Sequence, residues 1–210
     1  MSSAKKSVLL IFLILFADQV LKIWIKTHLV LGQEIQIFGN RGMLHFIENN
    51  GMAFGMEMGG KPGKLVLSIF RIIAILGIGW YLSSLINKKA NLGLILAVSV
   101  IMAGAIGNII DSAFYGMIFS DSYNYPAILF PPGGGYASFL HGRVVDMFYF
   151  PLINTHWPAW SPIKPGQSFV FFRPVFNLSD ASITCGVFSI LLFQKRMFRE
   201  LPEETRIGSL

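Results

Sequence analysis

Asp146, in His141-Gly-Arg-Val-Val-Asp146-Met-Phe, and Asp180, in Phe176-Asn-Leu-Ser-Asp180-Ala, stand against long apolar segments. A carboxylate placed there is costly to keep charged, and one that persists usually serves chemistry, transport or a buried polar partner. If the two meet they can share one proton, because like charges held close together do not readily both ionise. One carboxylate then activates a water while the other protonates a scissile carbonyl. The competing reading makes Asp146 a surface strand carboxylate and Asp180 an early-turn helix residue that satisfies backbone N–H groups and the helix dipole.

The remaining polar residues inside apolar runs fall into short-range pairs. Asp18 and Lys22 are spaced i, i+4 on one helical turn and read as a structural ion pair. Asn108 with Asp111, and Asn177 with Asp180, are each three apart, so each pair shares a helical face that can point into a bundle. The Asn108–Asp111 pair could position substrate, lock the two aspartates or only bridge helices. Arg71, early in an apolar run, is expected to reach outward to lipid headgroups. The four histidines, His28, His45, His141 and His156, have no metal-ligand spacing, and no metal or organic cofactor is expected. Cys185 has no disulfide partner and reads as packing. The serine-hydrolase elbow, the P-loop and the dinucleotide fingerprint are all missing.

The elements that must position these residues follow from composition. The chain has 210 residues, 53% hydrophobic and 13% charged, too apolar for an ordinary soluble domain. Four runs are long enough, or nearly so, to cross a hydrocarbon layer: Val8–Trp24, Leu65–Ile86, Leu92–Phe114 and Val175–Phe193. The first lacks a small-x-small cleavage site and is expected to be retained. Residues 1–7, 87–91 and 194–210 carry eight Lys/Arg in 29 positions, against seven in the 100 positions of 25–64 and 115–174, which puts both termini on the cytoplasmic side. The net charge of +6 therefore reflects topology, not nucleic-acid binding. Glu34–Phe38 and Met43–Glu48 alternate about the turn signal Gly39-Asn-Arg-Gly42 and predict a hairpin, with a second turn at Asn50-Gly51. Segment 115–174, rich in Pro, Gly and aromatics, has no helical period and is read as a folded cap on the outer surface. On an in-out-in-out path the polar residues of all four runs reach one depth in the outer half of the membrane, as parts of one site would. The competing class is a small proton-coupled transporter, against which stand the lack of inverted repeats and the one-sided polar cluster. A non-enzymatic scaffold would leave the carboxylates unexplained.

Five strings in order, Asp18-Gln-Val-Leu-Lys22, Asn49-Asn-Gly51-Met-Ala53-Phe54, Gly104-Ala-Ile-Gly107-Asn108-Ile-Ile-Asp111, Val144-Val145-Asp146 and Phe176-Asn177-Leu-Ser-Asp180-Ala181, resemble the lipoprotein signal peptidase family, bacterial signal peptidase II. The resemblance spans nearly the whole chain. It implies Asp146 and Asp180 as catalytic aspartates, with Asp18, Lys22, Asn49, Gly51, Asn108, Asp111 and Asn177 in supporting positions. It also implies an aspartic endopeptidase of the bacterial inner membrane that cuts prolipoproteins on the amino side of their diacylglyceryl-modified cysteine. Lipid-modified prolipoproteins and membrane lipids would be its partners, and a monomer is compatible with the chain. The architecture expected is an α-helical integral membrane protein, one domain over residues 1–210, with four transmembrane helices, a small extracytoplasmic β-rich element and an extracytoplasmic cap. Where the family commonly has an arginine after the aspartate matching Asp111, this chain has Ser112, and Arg143 is the candidate to supply that charge. Ser179 and Met147 replace an alanine and a phenylalanine often seen, and segments 116–140 and 151–174 look longer than in compact members.

Overall fold

The computed structural model describes residues 1–50, 60–151, 153–156, 158–162, 164–171 and 174–198. Gly51, the turn it was expected to make with Asn50, and Trp157 lie outside these. Helix α1 (Ser3–His28) starts where the Ser2 hydroxyl accepts from Lys5 N, and α2 (Gly60–Asn87) follows the first sheet hairpin. Helix α3 (Leu92–Ile110) is capped by Asn91, whose Oδ1 accepts from Gly93 N at 2.8 Å. It continues through a π-turn, Asp111–Tyr115, into the single turn α4 (Gly116–Ile118). Helix α5 (Leu178–Met197) closes the described chain.

Among the described residues, three segments are long and apolar enough to cross a membrane: Ser3–His28, Pro62–Asn87 and Leu92–Ile118. The fourth run departs from expectation at its start, because Val175–Phe176 form strand β6 and the helix begins only at Leu178. Ser179, Asp180, Ser182 and Thr184 in its first turns, and Gln194–Arg196 at its end, dilute its apolar character.

The expected hairpin is present as β1 (Glu34–Gln36) and β2 (Met43–Asn49), antiparallel with Glu34 opposite His45 and Gln36 opposite Met43. Strand β3 (Val144–Tyr149) pairs with β2, placing Ile47 opposite Asp146 and Asn49 opposite Val144, and β6 pairs with the far end of β3. The sheet order is β1-β2-β3-β6, and β4 (Ile153–His156) with β5 (Ser168–Phe171) makes a separate hairpin. The long outer segment is thus partly β structure. Its stretch 119–137 is tied to the helix ends by Ala127 N to Lys26 O at 2.8 Å and Ala137 N to Gly116 O at 2.8 Å.

Two apolar clusters among the described residues hold these parts together. Ile25, Leu29, Phe46, Tyr115, Phe119, Val145 and Met147 join α1, the sheet and the outer segment, and each large side chain buried there contributes roughly 1.5–3 kcal/mol. Leu82, Leu85, Leu94, Ile95 and Val98 join α2 to α3 near their shared turn. Small residues set the approach of α3 to α5: a Cβ on Gly104 would collide with the Ser179 carbonyl, and one on Gly107 with the Ser179 hydroxyl.

Candidate active site

The floor of the site is a buried ion-pair cluster. On the inward face of α1, Lys22 Nζ lies 2.9 Å from Asp18 Oδ2, as the i, i+4 spacing predicts, and also 2.9 Å from Asp111 Oδ2. It donates to Asn108 Oδ1 at 3.1 Å, and all three charged side chains are fully buried. Burying three charges is tolerable only because each is paired and hydrogen-bonded. Gln19 completes the cluster by donating to Asp18 Oδ2 and Asp111 Oδ1, both at 3.1 Å, while accepting from Tyr115 OH. Backbone N–H groups complete the set: Asp18 Oδ1 accepts from Ser179 N at 2.9 Å, and Asp111 Oδ2, already paired with Lys22, also accepts from Val145 N at 3.1 Å. The cluster therefore fixes the start of α5 and the start of β3, the elements that carry Asp180 and Asp146.

The π-turn sets the second of these. Opening the helix at Asp111–Tyr115 releases carbonyls, and Ser112 O and Ala113 O accept from Gly142 N at 2.9 Å and Leu140 N at 3.3 Å. The chain entering β3 is thereby laid against α3. A Cβ on Gly142 would run into the Asp111 carbonyl, so this approach requires glycine.

Above the floor, three asparagines hold the two aspartates. Asn177 is the N-cap of α5 in a capping box, its Oδ1 accepting from Asp180 N at 2.9 Å while Asp180 Oδ2 accepts from Asn177 N at 3.4 Å. The helix-start reading of Asp180 is thus correct for one oxygen. Its other oxygen, Oδ1, accepts from Asn108 Nδ2 at 2.8 Å. Asn177 Nδ2 donates to Asp146 Oδ1 at 2.7 Å and to Asn108 Oδ1 at 3.1 Å. Asn49, on the β2 face diagonal to Asp146, donates to Asp146 Oδ2 at 3.3 Å. Asp146 is 3% exposed, so the surface-strand reading is overturned. Burial, and then the neighbouring Asp180 charge, push its carboxyl up to about 7.

The residues singled out in the sequence are thus brought together, apart from Gly51, which is not described, and Arg143. Arg143 does not compensate for Ser112 beside Asp111. Its Nη1 donates to Glu48 Oε2 at 2.7 Å and its guanidinium lies over Tyr136 and Tyr123, 4.8 and 5.2 Å from the ring centroids. Asp111 takes its positive partner from Lys22 instead. Ser112 is buried and donates to Asn108 O at 3.1 Å.

A second buried cluster escaped the sequence reading. Lys26 pairs with Glu48 and donates to Ser122 Oγ at 2.9 Å, and Arg143 binds the same Glu48. The signal was available, since Lys26 continues the Asp18–Lys22 face by four residues and Glu48 adjoins Asn49. Arg71 was also misread. It lies on the inward side of α2, half-buried and within electrostatic range of Asp180 and Asp146, and does not reach outward to headgroups.

Residues 10–196 match the family model for signal peptidase (SPase) II. A lipoprotein signal peptidase of Porphyromonas gingivalis is 49% identical over 204 residues, covering 93% of this chain and 88% of that one. One from Amoebophilus asiaticus is 36% identical over 188 residues, covering 88% and 75%. A bacterial membrane enzyme solved by the in meso method at 1.9 Å shares the fold, with a TM-score of 0.59 at 24% identity over 90% of this chain and 92% of that one.

Proposed function

The chain belongs to the signal peptidase II family, a protease of bacterial lipoprotein precursors, and on that premise we propose that Asp146 and Asp180 are its catalytic pair. The observation that carries this is the linked set Asp146–Asn177–Asn108–Asp180, in which neutral amides orient both carboxylates on a prebuilt ionic floor. Amide donors hold position without adding charge, so the pair keeps one shared proton near neutral pH. The ionised partner takes a proton from water, whose oxygen adds to the scissile carbonyl, while the protonated partner donates to the carbonyl oxygen. Collapse breaks the C–N bond and a proton passes to the leaving amine, the amino group of the lipid-modified cysteine. Asp18, Lys22 and Asp111 act as supports, and Asn49, Asn108 and Asn177 orient the pair.

The membrane setting follows the same reading. Helix α5 is a fourth crossing: it packs along α3 through Gly104 and Gly186 and turns Val187, Phe188, Leu191 and Leu192 outward, as a lipid-facing side requires. Both termini are cytoplasmic and the aspartates lie near the outer face, where a signal helix and its lipid chains present the scissile bond. Segment 115–174 forms a cap at this interface, with Tyr125, Phe130 and Trp160 exposed.

The test is cleavage of a diacylglyceryl-modified prolipoprotein by purified protein. Asp146→Asn and Asp180→Asn should each abolish cleavage while leaving the protein folded, since an amide neither accepts a proton from water nor shares one. Near-normal turnover in either variant removes that residue from the pair.

A further inference from the structure

Arg71 sits on an apolar helix yet belongs to its protein-facing side. Ser68, Arg71, Ile75, Ile78, Leu82 and Leu85 form the covered stripe of α2, whereas Val66, Ile69, Phe70, Ile73, Leu76 and Trp80 are exposed. Polar contacts on that stripe show what it faces. Lys64, seven residues before Arg71, donates to Asn50 O at 3.3 Å, next to the Asn49 that holds Asp146. Ser68, buried one turn before Arg71, donates to Leu140 O at 3.0 Å, in the stretch entering β3. Below, Leu82 and Leu85 pack on α3. Arg71 lies between these two zones along α2, half-buried and near enough for its charge to act on Asp180 and Asp146.

Of the other cations near the site, Lys64 donates to a backbone carbonyl, and Lys22, Lys26 and Arg143 each meet a carboxylate. Lys22 is enclosed by Asp18, Asp111 and Asn108 with no exposure, Lys26 is buried against Glu48, and Arg143 is bound to Glu48. Hydrolysis meanwhile creates a charge that the resting site does not contain. One water adds across the C–N bond. Its hydroxyl stays on the carbonyl carbon, its proton and then the proton of the new carboxyl end on the amine, and the products are a carboxylate and an ammonium. The carboxylate appears beside a pair that already holds one negative charge, in surroundings of low dielectric where repulsion is strong.

We infer that Arg71 binds the newly formed C-terminal carboxylate of the cleaved signal peptide, and before cleavage the backbone carbonyl oxygen of the same residue. This rests on the reading of Asp146 and Asp180 as the catalytic pair. The planar guanidinium offers two parallel N–H groups that match a carboxylate, which a lysine does not. Arg71 stands on α2, a different element from the α5 and β3 that carry the aspartates, so it offers the product carboxylate a partner outside the pair.

The experiment uses a synthetic signal-peptide fragment that ends at the cleavage point, made once with a free carboxylate and once with a C-terminal amide. Each is tested as an inhibitor of prolipoprotein processing in detergent, and its binding is measured directly on wild type and on Asp146→Asn. Wild type should bind the carboxylate form about tenfold or more tightly than the amide, the range of a charge-assisted hydrogen-bonded pair. Arg71→Gln should bring the two forms to equal affinity, through a loss confined to the carboxylate peptide. Equal affinity in wild type, or a preference that survives Arg71→Gln, overturns the assignment. Should Arg71→Gln fail to fold, Arg71→Lys decides: a preference reduced several-fold supports bidentate binding, and an unchanged one refutes it. If Asp146→Asn and Asp180→Asn prove active, the catalytic pair is wrong whatever the peptides do. If those variants are dead and the preference is absent, only the role of Arg71 falls.

Discussion

At the scale of single residues, the high proton affinity of Asp146 has two measurable consequences. Its carboxyl sits at about 7 against an ordinary 3.8, so the folded state favours the protonated form. That contribution to stability is fully present below about pH 4 and is lost as pH rises through about 7. Melting of the purified protein should therefore occur at lower temperature at about pH 8 than at about pH 6, and Asp146→Asn should remove that part of the difference. An identical pH dependence in the variant would contradict the burial argument. The same proton is needed for catalysis, so kcat/KM should fall above about pH 7. A rate that stays flat into the alkaline range would count against a shared proton. Ser179 makes a separate case. Its hydroxyl is buried without a hydrogen-bond partner among the described residues, wedged against Gly107. Ser179→Ala should keep activity and raise stability by up to about 1 kcal/mol, read by thermal melting, because an unsatisfied buried hydroxyl is a net cost.

At the scale of elements, the fold holds its two aspartates through helix and strand starts. The capping box begins α5 at Asn177, and the same amide reaches Asp146 on β3, so one residue both starts a helix and joins two elements. Asn177→Ala should lower stability by more than the roughly 0.5–2 kcal/mol of a lost cap, because it also frees Asp146 and Asn108. Activity should fall with it, in a cleavage assay at equal folded protein. Lys22 performs a comparable task for α1 and α3. Lys22→Met leaves Asp18 and Asp111 buried without their cation, a loss on the order of 3–5 kcal/mol, and should show as poor yield of folded protein before any effect on chemistry can be read. Recovery of well-folded Lys22→Met in normal amounts would refute the floor as the organiser of the bundle.

At the scale of the whole molecule, the proposed orientation can be tested with thiol labelling. With Cys185 replaced by Ala, a cysteine placed at Ser2 or Ser209 should react with a membrane-impermeant reagent only after the membrane is opened, while one placed at the exposed Gln167 should react in intact cells. Labelling of either terminus in intact cells would reverse the topology. The cap makes a further prediction. Trp160 is 82% exposed, and Trp157 precedes it by three residues in the sequence. Replacing both with Ala should raise KM for lipid-bearing substrate more than it lowers kcat, in detergent and in bilayers alike. A defect confined to bilayers would make them membrane anchors, and an unchanged KM in both would remove the cap from substrate capture.

Much of this protein is legible in its sequence because bilayer physics acts on composition. Run length and the placement of Lys and Arg mark the apolar helices, i, i+3 and i, i+4 spacing marks the faces of Asp18–Lys22, Asn108–Asp111 and Asn177–Asp180, and alternation marks the β1–β2 hairpin. What the sequence could not settle is partnership across distant segments. Nothing local tells that Asp111 turns to Lys22 and not to Arg143, that Glu48 gathers Lys26 and Arg143, or that Arg71 faces inward. Those choices depend on strand register, on the π-turn that lays β3 against α3, and on how closely Gly104 and Gly107 admit α5. Long-range packing alone decides which of several compatible charges ends up within hydrogen-bond distance.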